Sequence, residues 1–221
     1  MCISVISSYA EDRVIYENGI IVKQGGPATF ITRLLDKMNI DYNLYSKGRG
    51  IVEIDKRDTN EIGKIVDIKR ITSFPDDKGL VLISTLADEF PLRRIGDLAC
   101  LDVQGYVRDM GIFGAKRIFD SIELEKFDII KGTREEIRYI PEERIKKVKI
   151  MIITNGQEGF TIKTPMTSII FPANIIKTGN TIGAGDTLFT AFCVKYYTSK
   201  NLIESAEFAR RKTEEFLEDK S

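Results

Sequence analysis

A glycine-rich segment ending in a carboxylate, Gly179-Asn180-Thr181-Ile182-Gly183-Ala184-Gly185-Asp186, runs straight into Thr187-Leu188-Phe189-Thr190-Ala191-Phe192, where the apolar spacing predicts a helix. Glycine at 183 and 185 lets the backbone take positive φ and approach a ligand closely. The first N–H groups of the following helix lack intrahelical partners and carry the positive end of its dipole, so the segment reads as an anion site. Asp186 falls in the first turn, where a carboxylate either caps those N–H groups or takes a proton from a substrate hydroxyl. The chain contains no histidine, which removes Ser-His-Asp and Cys-His triads and almost every zinc-hydrolase arrangement. Any general base must then be Asp, Glu, Lys, Tyr or Cys.

Two further stretches carry residue types that could meet a ligand. In Gly25-Gly26-Pro27-Ala28-Thr29-Phe30 a glycine pair again precedes a helix, with Pro27 suited to its first position and Ile31, Leu34, Leu35 and Met38 forming its apolar stripe. Plain loop flexibility and backbone amides facing ligand oxygens account for it equally well. In Lys131-Gly132-Thr133-Arg134-Glu135-Glu136, Thr133 can cap a helix and Glu136 completes the capping-box spacing. No Gly-Lys-Ser or Gly-Lys-Thr follows the Gly-Ala-Gly-Asp loop, and it is not Gly-x-Gly-x-x-Gly, so neither the Walker A nor the dinucleotide-fold mode of phosphate binding applies.

These segments need a scaffold, and 221 residues provide one sizeable domain, 1–221. Lys+Arg and Asp+Glu both number 33, which suggests neither disorder nor a surface for nucleic acid. No apolar run approaches the roughly 20 residues that cross a bilayer, and the N-terminus lacks a basic region ahead of an apolar core, so a soluble, cytoplasmic protein is expected. Cys2, Cys100 and Cys193 are odd in number and unrelated in position, and read as small core residues.

The apolar runs Cys2–Ser7, Gly79–Ser84, Ala99–Val103, Phe127–Ile130 and Val148–Ile153 predict core strands, those around 80 and 100 covered on both faces. These two end in polar or small residues, Ser84-Thr85 and Asp102 with Gln104 and Gly105, so a row of side chains is expected beyond their carboxyl ends. Further strands are predicted over Asp41–Ser46, Ile51–Ile54 and Ile65–Ile71, and an antiparallel pair over Phe160–Ile162 and Thr167–Phe171. A charged amphipathic helix is predicted over Asn201–Leu217. Residues 13–23 hold two β-prone arms joined at Asn18-Gly19, a hairpin signal. The alternation predicts a three-layer α/β/α domain with a mostly parallel central sheet and a small β lid, the hairpin at about 13–23.

Asn180-Thr181-Ile182-Gly183-Ala184-Gly185-Asp186-Thr187-Leu188-Phe189 is similar to the C-terminal signature of the ribokinase-like (PfkB) carbohydrate kinases. Gly25-Gly26-Pro27-Ala28 resembles the family's N-terminal double glycine and Asp12 its substrate-holding aspartate. Lys131–Glu136 looks like its Asn-x-x-Glu region, and Thr154-Asn155-Gly156-Gln157-Glu158-Gly159 like its nucleotide-side glycine turn. The resemblance implies ATP-dependent phosphorylation of a hydroxyl on a sugar or polyol, with Asp186 as base and the Gly183, Ala184 and Gly185 amides stabilising the transferred group. A nucleoside kinase, or a nucleotide-binding protein of this fold without transfer activity, stands as the alternative. It further implies Asp12, Gly25 and Gly26 on the acceptor, Thr154, Gly156, Gly159 and Thr181 on the nucleotide, and Mg²⁺ bridging the phosphates with Glu136 in water-mediated contact.

Gly25-Gly26-Pro27-Ala28 together with Leu101–Arg108 looks most like the inositol-kinase-like branch, with Arg108 either neutralising phosphate charge or serving as a surface guanidinium. Asn180 stands where the family usually has aspartate and Thr133 where it usually has asparagine, which bears on a monovalent-cation site and on the metal-side network. The chain is shorter than most members, which suggests a reduced lid and a site that is either more open or completed by a second subunit, as in a homodimer.

Overall fold

The computed structural model describes residues 2–57, 62–72, 78–174, 176 and 181–219. In chain order the elements are β1 (Ile3–Ser7), β2 (Tyr9–Tyr16), β3 (Gly19–Gly25), α1 (Pro27–Lys37), β4 (Asn43–Tyr45), β5 (Arg49–Asp55) and β6 (Ile62–Asp67). Then come β7 (Leu80–Ser84), β8 (Leu98–Asp102), α2 (Gln104–Val107), β9 (Ile129–Thr133), α3 (Arg134–Ile137) and α4 (Glu142–Ile145). The last are β10 (Ile150–Thr154), β11 (Phe160–Lys163), β12 (Ser168–Phe171), α5 (Ala184–Ser199) and α6 (Leu202–Glu218).

Among the described residues an eight-stranded sheet runs in the order β12-β11-β10-β9-β8-β7-β1-β4. Strands β4, β1, β7, β8, β9 and β10 are parallel to one another, while β11 and β12 are antiparallel at the edge, as their sequence predicts. The continuous apolar runs follow from burial on both faces. Leu80, Leu82 and Cys100 pack with Ile31 and Leu35 of α1 and Phe189, Phe192 and Ala209 of α5 and α6. Val81, Ile83 and Leu101 point the other way, onto Phe90, Tyr106, Leu124 and Phe127. This is the three-layer arrangement that the strand–helix alternation requires. Among the described residues no helix is long and apolar enough to cross a membrane.

The hairpin expected as a lid is part of a larger sheet. Strands β2 and β3 do form the hairpin, but the two turn residues are Glu17 and Asn18, with Gly19 at φ +139° opening β3. The hairpin is then extended by β5, parallel to β2, and β6, antiparallel to β5, into a four-stranded sheet in the order β3-β2-β5-β6. The strands expected around 51 and 65 therefore belong to this second sheet, which has four strands where the sequence predicts the hairpin alone. Its period-2 pattern buries Ala10, Val14, Val52, Ile54 and Ile65 on one face, against Leu86 and Ala87. The edge at β6 is taken further by residues 108–117, whose Gly111 and Gly114 amides donate to the Ile65 and Gly63 carbonyls at 3.1 and 3.0 Å.

Candidate active site

Register brings the chemistry together. Ser7, Ser84 and Asp102, the last residues of β1, β7 and β8, stand side by side with Lys131 in the middle of β9. Thr133 ends β9 two residues further on and caps α3: its hydroxyl accepts from the Glu136 amide at 3.1 Å, while Glu136 Oε2 accepts from the Thr133 amide at 2.8 Å. The predicted capping box is present, and its consequence is that Glu136, though nearly buried, is held at the cleft wall.

Opposite the strand ends, Gly183 at φ +88° is the N-cap of α5, a left-handed conformation that favours glycine. A Cβ there would also fall inside the Phe30 ring. The turn places Asp186 in the first turn of α5, where Ser84 Oγ donates to its Oδ1 at 3.2 Å. Ser84 Oγ in turn accepts from Gln104 Nε2 at 3.3 Å, and Arg108 Nη2 donates to Gln104 Oε1 at 3.1 Å. This chain of contacts ties the first turn of α5 to the end of β7 and to both ends of α2.

The sequence offers Asp186 as an ordinary carboxylate of pKa about 3.9. In the fold burial pushes it up to about 6, with the Asp102 charge adding to the rise and Lys131, Ser84 and Arg108 opposing it. Burial also acts on Glu136, but Lys131, Arg108 and the Thr133 amide outweigh it and hold that carboxyl below its usual range. Two acids separated in this way, one near neutrality and one firmly ionised, suit a proton acceptor and a charge holder respectively.

Between α5, the strand ends and the four-stranded sheet lies a cleft of about 810 Å³. Asp12 enters it from β2, Gly26 and Phe30 from the start of α1, Gly183 and Asp186 from the start of α5, Arg108 from the end of α2, Thr133 from the end of β9 and Glu136 from α3. Gly25 lies just behind, and a Cβ on it would overlap the Asp12 carboxylate, so its lack of a side chain is what lets Asp12 lie there. Gly26, at φ +80°, would bring a Cβ within 2.6 Å of the Ala10 amide nitrogen.

The predicted donor-side residues sit elsewhere. Thr154 ends β10 beside Thr133, Gly156 opens an exposed one-turn 3-10 helix, and Gly159, at φ +97°, packs against the backbone of residues 171–173; none of these lines the cleft. Thr181 is exposed and its carbonyl accepts from the Ala184 amide at 3.0 Å. An anion reaching Ala184 must therefore compete with that turn, whereas Gly185 belongs to the first helical turn, where amides have no intrahelical acceptor. Asn180 lies outside the described residues.

Four contributors were not singled out by spacing alone. Ser84 and Gln104 belong to the polar row expected beyond the strands, but their link to Asp186 depends on register. Lys131 and Asp102 form a buried ion pair at 2.8 Å beneath the loop, and the signal was there: a lysine inside the run Phe127-Asp128-Ile129-Ile130-Lys131 is a charge in core sequence. Residues 109–116, which give Asp109, Phe113 and Lys116 to the cleft wall, carry no periodicity at all.

Residues 122–211 match the pfkB family carbohydrate kinases. The inositol 3-kinase of Arabidopsis thaliana is 22% identical over 238 residues, an alignment covering 86% of this chain and 66% of that protein. The chain thus spans just under two thirds of that relative's length. Among solved structures, a pyrophosphate-dependent kinase of the ribokinase family, complexed with a pyrophosphate analogue and myo-inositol, superposes with a TM-score of 0.73 at 17% identity, covering 99% of this chain and 95% of that one. The ribokinase of Arabidopsis thaliana, complexed with ribose and ATP, gives 0.69 at 15% identity, covering 99% and 93%.

Proposed function

We propose that the chain is a carbohydrate kinase of the ribokinase-like, pfkB group and that it transfers the γ-phosphoryl group of ATP to a hydroxyl of a sugar or polyol, inositol foremost. The observation that carries this is the joint presence of Asp12, Gly26, Gly183 and Asp186 on one cleft: a carboxylate able to hold acceptor hydroxyls faces a helix N-terminus bearing a second carboxylate near neutral pKa. The inositol 3-kinase relative supports inositol as the first acceptor to try.

In this reading Asp12 accepts hydrogen bonds from acceptor hydroxyls and orients one toward Asp186. The acceptor oxygen forms the new P–O bond while the bond from the γ-phosphorus to the bridging oxygen breaks, its electron pair leaving with ADP. The hydroxyl proton passes to the Asp186 carboxylate. Charge in the loose transition state lies on the transferred oxygens, so the fixed amides of the 183–185 turn and the guanidinium of Arg108 lower the barrier without covalent help.

Among the described residues no group of three or more acidic, histidine or cysteine side chains is placed to hold a metal ion by itself. That fits a Mg²⁺ carried by the donor's phosphates and waters better than a resident ion, with Glu136, one oxygen engaged by the Thr133 amide, presenting charge to its water shell. Mg²⁺ would there neutralise the phosphate charge.

Pyrophosphate is a second candidate donor. It is favoured by the superposition on the pyrophosphate-dependent kinase and by the fact that Gly156 and Gly159 stand away from the cleft. The test is acceptor-dependent release of ADP or phosphate across sugars, inositols and nucleosides, with Mg-ATP and Mg-pyrophosphate in parallel. Turnover on an inositol or sugar supports the reading. Preference for nucleosides would move it to the nucleoside kinases, and donor binding without turnover on any acceptor would leave a binding protein.

A further inference from the structure

The ion pair beneath the catalytic loop is part of neither the cleft wall nor the capping box. Lys131 is 4% exposed, Asp102 is fully buried, and neither lines the cleft. Burying two charges is costly, and such a pair is usually replaceable by apolar residues without loss of stability. Its presence in the middle of a strand that begins with two isoleucines therefore asks for another reason.

Position supplies one. A Cβ placed on Gly185 would lie 3.1 Å from Lys131 Nζ, so the ammonium rests directly under the first turn of α5, on the residue before Asp186. Asp102 fixes it there: Oδ2 takes the ammonium at 2.8 Å while Oδ1 accepts from the Gln104 amide at 3.1 Å. Burial works against the charge on Lys131, but Asp102 from β8, Glu136 from α3 and Asp186 from α5 together outweigh it and hold the ammonium protonated above its ordinary range. Around Asp186 the charged groups are Lys131 from β9, Asp102 from β8 and Arg108 after α2, with the Ser84 hydroxyl from β7; of the charges, the Lys131 ammonium acts on it most strongly.

Beneath and beside the α5 turn, the carboxylates of Asp102, Glu136 and Asp186 thus stand against the cations Lys131 and Arg108 before any phosphate arrives. A donor phosphoryl group and an ionised Asp186 must share the same few ångströms, and their repulsion has to be offset by charge fixed in place. Arg108 is half-buried on the wall and reaches in from one side. Lys131 sits behind the turn itself.

We propose that Lys131, anchored by Asp102, is a positioning residue for the transfer: its buried ammonium supplies the fixed positive charge behind Gly185 that lets the anionic donor and the ionised base occupy the site together. It acts through the α5 turn and Asp186 and touches neither substrate. The idea rests on the proposed role of Asp186 as base.

The test is a neutral pair, Lys131→Gln/Asp102→Asn, in which the two amide side chains can still bond each other and the new carbonyl at position 102 can still accept from the Gln104 amide. It is expected to fold. Its kcat should fall about 10- to 100-fold, less than the roughly 10²- to 10³-fold of losing a donor in direct contact because the charge acts from behind the turn, with acceptor KM little changed. The acid limb of its kcat/KM profile should move to higher pH, and binding of inorganic pyrophosphate, read by calorimetry, should weaken about tenfold. Wild-type values for both the acid limb and pyrophosphate binding would overturn the proposal, as would a wild type that binds no pyrophosphate.

Lys131→Gln alone removes the ammonium and leaves position 102 able to take a proton and stay neutral, so both readouts should move the same way as in the neutral pair; wild-type values in this variant overturn the proposal even if the pair does not fold. Lys131-dependent pyrophosphate binding in a wild type that phosphorylates no acceptor would support the charge role and count against the proposed function.

Discussion

Ser84 Oγ donates to Asp186 Oδ1 at 3.2 Å, joining the carboxyl end of β7 to the first turn of α5. The two residues are 102 positions apart, and the bond fixes which way the carboxylate faces the cleft. Because Ser84 also accepts from Gln104 Nε2, its hydroxyl proton is committed toward Asp186. Ser84→Ala is expected to keep the fold and acceptor KM and to lower kcat about fivefold, the value of one hydrogen bond of about 1 kcal/mol. Steady-state kinetics check this, and an unchanged kcat would remove Ser84 from the positioning of the base.

The raised pKa of Asp186 gives two linked pH effects. As base it must be unprotonated, so kcat/KM is expected to fall as pH drops through about 6. Its folded pKa lies above the unfolded value of about 3.9, so its contribution to stability is fully present below that value and is lost as pH rises through about 6. Asp186→Asn removes this titration. Relative to wild type, the variant should gain more in melting temperature at pH 7.5 than at pH 5, while losing turnover about 10²- to 10⁴-fold. A melting difference independent of pH would argue against a buried, titrating Asp186.

Gly25→Ala tests the acceptor side. The added Cβ would overlap the Asp12 carboxylate and push it from its place, since Gly25 is buried beneath it. The expected result is a large rise in acceptor KM with little effect on donor KM. A rise in donor KM alone would mean that Asp12 does not serve the acceptor.

On the predicted donor-side turn, the two glycines should behave differently. Gly159→Ala meets both a φ of +97° and the backbone of residues 171–173, with the Ala173 amide nitrogen 2.6 Å from the new Cβ, and should cost about 1–3 kcal/mol of stability. Gly156, at φ +53° with open space around it, should lose about 1 kcal/mol on the same change. Thermal or urea unfolding of the two variants separates them, and equal losses would refute the packing argument.

Local features were readable in the sequence and distant ones were hidden. The turn from Gly183 into α5, the box between Thr133 and Glu136, and the doubly buried runs of β7 and β8 are each specified within a few residues, so periodicity and capping chemistry reveal them. The extension of the β2–β3 hairpin into a four-stranded sheet is hidden because β2 pairs in parallel with β5, some 40 residues away, a contact that no local signal announces. The wall built by residues 108–117 rests on backbone bonds from Gly111 and Gly114 to β6, which side-chain pattern does not encode. Lys131 and Asp102 meet only because β8 and β9 align in one register. The acidity of Asp186 likewise belongs to the fold, through burial and the charge of Asp102, and not to the residue type.

The central claim, that the cleft between Asp12 and Asp186 phosphorylates a polyol hydroxyl, is tested most directly by acceptor-dependent release of ADP or phosphate from Mg-ATP or Mg-pyrophosphate, run on wild type and Asp186→Asn with a panel of inositols and sugars. The account predicts turnover on at least one of these acceptors by wild type and its near-complete loss in the variant. It is contradicted if no acceptor stimulates release with either donor, or if Asp186→Asn turns over at close to the wild-type rate.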